Sequence, residues 1–327
     1  LYSLEKAMPV HRFTRSRVGF VIIALLPVST LAQGADDAND AHPRFIGPLA
    51  SPAPPLPKGV GNIEPYLVTT TAASRFDADG HRVDSQAATQ WDVIVPVQYG
   101  LTDRLTVGTT LSAAYDRAAD GGRDAAVGDT TISALYGLYD GAGPQRLRLA
   151  AGLRQRLPTG RHDHLETARR PAIGSGASSS TLALQGQAYF LDGYLRARAT
   201  TAWRLPGSHA RIRGASVYGT GAGFVGKARL DTAMVSTLSA EYSVDPHWTL
   251  VAEAMYERDK GTRVRGSDPD GVAIDTREPG SWRFSLLPAV QYHFNDDVGV
   301  IAGIQLGLAG RNTAAIVAPQ IAVNIGF

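Results

Sequence analysis

The chain has 327 residues, and its 32 Lys and Arg against 30 Asp and Glu leave a net charge of +2, too little to recruit nucleic acid or an acidic polymer. It contains no cysteine, which excludes a disulfide framework, a thiolate nucleophile and a zinc-thiolate site. Mean hydropathy is -0.10, and beyond the N-terminal region no segment approaches the roughly 18 consecutive apolar residues of a spanning helix; a transmembrane β-barrel escapes that test because its apolar residues alternate with polar ones.

At the front, "MPVHRFTRSRVGFVIIALLPVSTLAQG" has a basic start (His11, Arg12, Arg15, Arg17), an apolar run from Val18 to Leu26, and small residues ending at Ala32. This is the layout of a signal peptide cleaved after Ala32, and its apolar run is too short for a mature span. Residues 1–32 are thus expected to be upstream residues and signal peptide, with Met8 the expected start. Residues 33–60 shift to Ala, Asp and Pro, densest in "PLASPAPPLP". Proline forbids both helix interior and central strand, so this reads as an extended leader, lying in the periplasm or threading the lumen as a plug.

From 61 to 327, segments of about ten residues alternate in polarity between turn residues. Strands are expected near 61–72, 88–99, 105–116, 128–139, 146–157, 180–191, 194–205, 229–243, 248–258, 281–294, 298–309 and 314–327. "SWRFSLLPAVQYHF" shows the pattern most clearly: Trp282, Phe284, Leu286, Pro288, Val290, Tyr292 and Phe294 share one face, with aromatics at both ends. "VGVIAGIQLGLAG" follows after only Asn295 to Asp297, a link so short that the two strands form an antiparallel hairpin. Short links at "GLTDR", "DGAGPQ", Asp192–Gly193, Asp245 to His247 and "NDD" alternate with longer polar ones near 73–87, 117–127, 158–179, 206–228 and 259–280; the last link, near Arg311, is brief.

The expected fold is therefore all-β: a transmembrane antiparallel up-and-down barrel of about twelve strands in the outer membrane, with both termini periplasmic. In hydrocarbon every backbone N–H and C=O needs a partner, and a closed sheet supplies them all. A soluble sandwich would not require aromatics at strand ends such as Trp91, Tyr99, Tyr115, Trp203, Trp248 and Tyr256. The final "PQIAVNIGF" is a strand to its last residue, with Pro319, Ile321, Val323, Ile325 and Phe327 on one face.

Terminal Phe327 resembles the end signature of Gram-negative outer-membrane proteins, which implies the barrel-assembly machinery and outer-membrane lipid as partners. "YGLTDRLTVG" (Tyr99 to Gly108), "VGDTTISALYGL" (Val127 to Leu138) and "RLPTG" (Arg156 to Gly160) resemble the outer-membrane family associated with the phenol meta-pathway and described as transporter-like. The resemblance implies this fold and location, and aromatic or other hydrophobic compounds as solutes. Read without it, the same motifs are Tyr99 at an interface, a tight turn at Leu101 to Asp103, and a strand ended by Pro158 and Gly160.

If the apolar face meets lipid, the other lines the lumen. Strand 146–157 then points Arg146, Arg148, Arg154 and Arg156 inward, and 194–205 adds Arg196, Arg198 and Arg204. An Arg on the lipid side near the midplane would cost about 2 to 4 kcal/mol, which fixes the register. Acidic residues collect elsewhere: Asp231, Glu241, Glu253 and Glu257, with Asp92, Asp116 and Asp129 earlier. A basic wall facing an acidic wall would give a passage with a transverse field selecting small charged or polar solutes. Alternatively the charges pair with one another and fill the lumen.

Other motifs carry less. His162, Asp163, His164 and Glu166 have weak metal-ligand spacing in a loop, and Asp268, Asp270 and Asp275 around Gly271 lack the spacing of a calcium hand. No metal or cofactor is expected from them. "YGTGAGFVG" (Tyr218 to Gly226) lacks a strand-to-helix context and reads as a flexible loop. A lipase-type enzyme would pair Ser208 or Ser285 with His209, His247 or His293, but no nucleophile motif surrounds them. The expected function is a channel or transporter for a small-molecule solute; the alternatives are that enzyme, or an adhesive barrel acting through its loops.

Overall fold

The computed structural model describes residues 42–117, 123–165 and 173–327; the expected signal peptide lies outside them. The strands are β1 (Gly61–Ile63), β2 (Tyr66–Phe76), β3 (Arg82–Thr102), β4 (Leu105–Arg117), β5 (Arg123–Val127), β6 (Thr130–Asp140), β7 (Arg148–Leu157), β8 (Ser179–Phe190), β9 (Leu195–Pro206), β10 (Ala210–Arg213), β11 (Val225–Leu230), β12 (Ala233–Ser243), β13 (Trp248–Asp259), β14 (Thr262–Ser267), β15 (Ala273–Arg277), β16 (Ser281–His293), β17 (Val298–Arg311) and β18 (Thr313–Gly326).

Twelve of these form the wall. Antiparallel neighbours run β2, β3, β4, β6, β7, β8, β9, β12, β13, β16, β17 and β18, and β18 pairs back onto β2, so the sheet has no edge. β1 and β2 are one staggered strand interrupted at Glu64 and Pro65, and β5 and β6 are one interrupted at Gly128 and Asp129. The C-terminus completes the ring: Phe327 and Gly61 exchange both backbone hydrogen bonds, at 2.6 and 3.0 Å. Closure gives every wall strand a neighbour on both sides, which is what a membrane demands of a sheet.

Side-chain alternation makes two surfaces. Leu153, Leu182, Leu238, Leu250, Leu286 and Ile321 project outward and are exposed. Aromatic belts bound them, with Trp203 and the stacked pair Tyr256 and Trp282 at one end, and Tyr242, Trp248, Tyr292 and Phe294 at the other. This is the exterior of a bilayer-spanning barrel.

The connections differ at the two ends. β3–β4, β6–β7, β8–β9, β12–β13 and β16–β17 join at a short-turn end, where β1 starts and β18 stops. At the other, long-loop end, β10, β11, β14 and β15 form a second, four-stranded sheet from segments expected to be loops. Each contributes only one or two apolar residues to its hidden face (Ala210, Ile212, Ala228, Val264 and the partly buried Ile274), too short a period-two signal to read in advance. Phe224 is buried in this sheet's core, so Tyr218 to Gly226 is anchored by packing and is not the flexible loop expected.

Candidate functional site: the plugged lumen

Residues 42–58 of the Pro-rich leader lie inside the barrel. This segment enters at the short-turn end, where the Arg44 guanidinium meets Asp296 at 2.5 Å, and returns there, where the Lys58 N–H donates to Asp103 at 3.1 Å. Between these it climbs to an apex near Ser51, whose Oγ lies 2.7 Å from Thr237 Oγ1. With prolines at 43, 48, 52, 54, 55 and 57 it builds no ladder of its own, so its backbone groups need wall partners. Ile46 N–H and Gly47 C=O bond the Gln291 amide, Ala50 N–H donates to Glu253, and Pro52 C=O accepts from Arg198 at 2.8 Å. Leu56 N–H donates to Thr106 at 2.7 Å. Leu49 packs on Val251, Met255, Leu287 and Ile301, an apolar patch within an otherwise polar lumen.

Close backbone approach explains two glycines. A Cβ on Gly100 would lie 1.9 Å from the Pro57 carbonyl oxygen, and one on Gly299 would lie 2.5 Å from Ile46 Cδ1. Gly100 lies at the end of β3, within the "YGLTDR" motif, so that motif receives the plug where it leaves the barrel.

The plug divides the lumen. Against β9, β12, β13 and β16 it is packed: Arg196, over the Phe45 ring at 4.6 Å, grips Glu241 with two bonds of 2.6 Å. Arg198 bonds Gln187, and Glu253 is covered by Ala50 and Ser51. On the opposite side, between the plug tip and β2, β3, β4, β6, β7 and β8, a cavity of ≈ 330 Å³ remains. Asn62, Glu64, Gln98, Thr131 and Ser133 give it a polar lining, Leu49 and Tyr66 give it an apolar corner, and Arg154 and Arg156 project into it. Among the described residues neither guanidinium has a hydrogen bond or ion pair.

The arginines and glutamates expected to line one field-bearing passage are therefore in different settings. Arg146 is not on a wall strand: it lies in the turn before β7 with φ 42 and is exposed. Arg148 is at the short-turn rim, paired with Asp140 at 2.9 Å. Arg204 pairs with Asp259 and Arg283 with Glu257, both at 2.5 Å, near the long-loop mouth. Arg196 and Glu241 are directly opposite on adjacent strands, so this pair neutralises itself within one wall and does not face across the bore. Asp231 lies in the break between β11 and β12 and meets Arg277 at 3.3 Å. The cavity-lining Gln98, Thr110, Thr131 and Thr181 belong to the inward, polar half of each alternation; charge drew the eye away from them.

Loops cap the long-loop end. Asp129, in the β5–β6 break, accepts from Gly160 N–H and from Ser175 N–H and Oγ, tying "VGD" to "RLPTG" and to the β7–β8 connection. The Tyr218 hydroxyl donates to the Ser175 carbonyl, and burial, with Asp129 nearby, pushes its phenol up to about 12. The candidate metal residues hold this cap: His162 bonds the Arg211 carbonyl at 2.8 Å, Asp163 accepts from Arg213 N–H and pairs with His164, and Glu166 is outside the described residues. Asp268 caps the 268–272 turn, and Asp77 does the same between β2 and β3, accepting from the backbone N–H groups of Asp79 and His81. Ser208 bonds Ser178 and Ser285 bonds Gln305; among the described residues no serine hydroxyl meets an imidazole.

No family model and no curated protein matches the chain. Among solved structures it is similar to an outer-membrane channel from Pseudomonas putida F1, with TM-score 0.66 and 19% identity over 86% of this chain and 100% of that one. It is also similar to the NanC porin (TM-score 0.46, 9% identity, 79% and 98% covered) and to the Pseudomonas putida toluene transporter TodX (0.42, 10%, 83% and 91%). The first likeness shows a shared fold. With its hydrocarbon-facing exterior and ring closure, that fold is a barrel of the bacterial outer membrane.

Proposed function

We propose that this barrel is an outer-membrane channel for small solutes, oriented with its short-turn end and both termini in the periplasm, and with Phe327 as its assembly signal. The observation that carries the reading is the cavity beside the plug: two guanidinium groups with no hydrogen bond or ion pair among the described residues project into space large enough for a small molecule. A carboxylate would satisfy Arg154 or Arg156 in a charge-assisted pair, while Leu49 and Tyr66 offer an apolar surface to a ring. The class that fits is small aromatic acids, in keeping with the toluene transporter among the proteins of similar fold.

The test is conductance in planar bilayers. The wild-type protein should conduct with a preference for anions that benzoate reduces, and Arg154→Ala with Arg156→Ala should shift the reversal potential toward cations and abolish the benzoate effect. A protein with no conductance, or a double variant identical to wild type, would refute the passage. Arg198→Ala should instead act through the plug, since Arg198 bonds Gln187 and the Pro52 carbonyl and does not line the cavity.

A further inference from the structure

The second sheet carries a charge pattern that neither closure of the barrel nor passage through it uses. Its order β10, β11, β14, β15 repeats that of the wall strands β9, β12, β13, β16 from which it rises. One face is buried: Ala210, Ile212, Ala228 and Val264 pack with Phe224 and Ala177, against loops that also hold Tyr218 over the lumen. The other face is exposed, and because its reverse packs on the loops over the mouth it is turned away from them. Across it Arg211, Lys227 and Arg265 stand directly opposite one another, ending on Asp275, and the next row is Arg229, Arg263 and Arg277. Arg213 extends the first strand.

Seven cations thus share one face with a single carboxylate. Asp275 is taken by Arg263 at 2.6 Å and Arg265 at 3.1 Å, and Arg277 reaches Asp231 at 3.3 Å. Arg211, Arg213, Lys227 and Arg229 have no ion pair among the described residues. Like charges directly opposite on paired strands are destabilising, so this arrangement costs the free sheet stability and is relieved by an external polyanion. With strands about 4.8 Å apart and rows about 7 Å apart, the face is roughly 15 Å across, suited to a ligand with several anionic groups.

The position of the face selects the source. Immediately below it the wall presents Trp203, Met234, Arg258, Trp282 and Arg311 as one row of paired neighbours, the level of the bilayer interface. A sheet rising from that row, with its charged face turned away from the loops over the mouth, meets headgroups before it meets a solute approaching the mouth. We propose that this face docks a multiply phosphorylated glycolipid of the outer leaflet, anchoring the channel in its membrane; the inference rests on the orientation proposed above, with the long-loop end outside.

The test uses the full-length protein in nanodiscs of phosphatidylcholine doped with bisphosphorylated lipid A, and native mass spectrometry to count retained glycolipid. Each surface cation near an anionic headgroup contributes about 1 kcal/mol, so Arg211→Gln, Lys227→Gln and Arg229→Gln together should weaken retention roughly a hundredfold. Arg104→Gln, at the short-turn end, should leave retention unchanged and serves as the fold-matched control. An independent pair, Arg213→Gln with Arg265→Gln, keeps the test decisive should the triple variant fail to fold. Equal retention by wild type and by either folded variant would overturn the proposal. So would pyrophosphate binding that the triple variant loses while lipid A retention stays at background, since the face would then take free phosphates. Orientation is checked separately by labelling Asp270→Cys on intact cells: failure there refutes the sidedness, whereas failure of retention in nanodiscs refutes the docking.

Discussion

The packed half of the lumen is best interrogated through Arg196 and Glu241. Their relative exposures are 5% and 0%, their two bonds measure 2.6 Å each, and Gln291 adds a third contact to Glu241 at 2.9 Å. Glu241→Leu would leave a buried guanidinium with the Phe45 ring and Tyr189 but no carboxylate, a loss of about 3 to 5 kcal/mol, or two to four orders of magnitude in the folding equilibrium. Arg196→Met should cost a similar amount, because it strands the carboxylate. The double variant removes both charges and should recover much of either loss, giving a coupling above about 2 kcal/mol. Arg148 and Asp140, 44% and 66% exposed, provide the contrast, with a coupling of about 0 to 1 kcal/mol. Urea unfolding from lipid vesicles reads the six variants of the two cycles and the wild type. Single losses below about 1 kcal/mol that simply add would show that water screens Arg196 and Glu241, and the division into packed and open halves would be wrong.

Removing residues 43–57 should raise single-channel conductance severalfold while the barrel still shows its heat-modifiable migration; unchanged conductance would mean that the leader does not obstruct the bore. Gly100→Ala drives a methyl group into the Pro57 carbonyl, so proteolysis of the leader around residue 57 should accelerate while the wall stays intact, and an unchanged cleavage rate would count against the plug exit. Deleting 262–276 removes β14 and most of the β14–β15 hairpin, so β10 and β11 should become protease-sensitive without loss of conductance; lost conductance would place the second sheet in the permeation path. Hydrogen bonding from Arg263 holds the Asp275 carboxyl at about 2, below its ordinary 3.8. Its folded value is depressed, so the contribution of Asp275 is present above about 4 and lost as pH falls through about 2. Nicking of the 268–272 turn by pepsin should therefore rise across that window in wild type and be high throughout in Asp275→Asn.

The wall was legible because lipid imposes a period of two on every strand, so all twelve segments appear in the sequence, most within a few residues of their ends. β3 runs on to Arg82 because beyond the membrane its alternation turns polar and loses the apolar signal, although pairing with β2 continues to Phe76. The inward register of Arg154, Arg196 and Glu241 followed from the same alternation. Which charges would pair did not, because that depends on strands meeting in register: Glu241 opposite Arg196 is a fact of β12 against β9, not of either segment alone. Nor was the plug's place legible, since proline marks 42–58 as extended without saying what surrounds it. Its partners were nonetheless present as oddities, namely an inward Gln291, small Gly299 facing in, and apolar Val251, Leu287 and Ile301 on a face otherwise polar. The second sheet escaped notice because four short, basic strands look like solvated loops until they are paired.

The absence of cysteine makes a direct test available. Ser51→Cys with Thr237→Cys places two thiols where hydroxyls now lie 2.7 Å apart at the plug apex. In outer-membrane vesicles, mild oxidation should crosslink nearly all of the protein, with conductance the same before and after, since the passage runs beside the plug. No crosslink would show that the leader is not in the lumen, and a crosslink that silences the channel would show that solutes pass only when the plug moves.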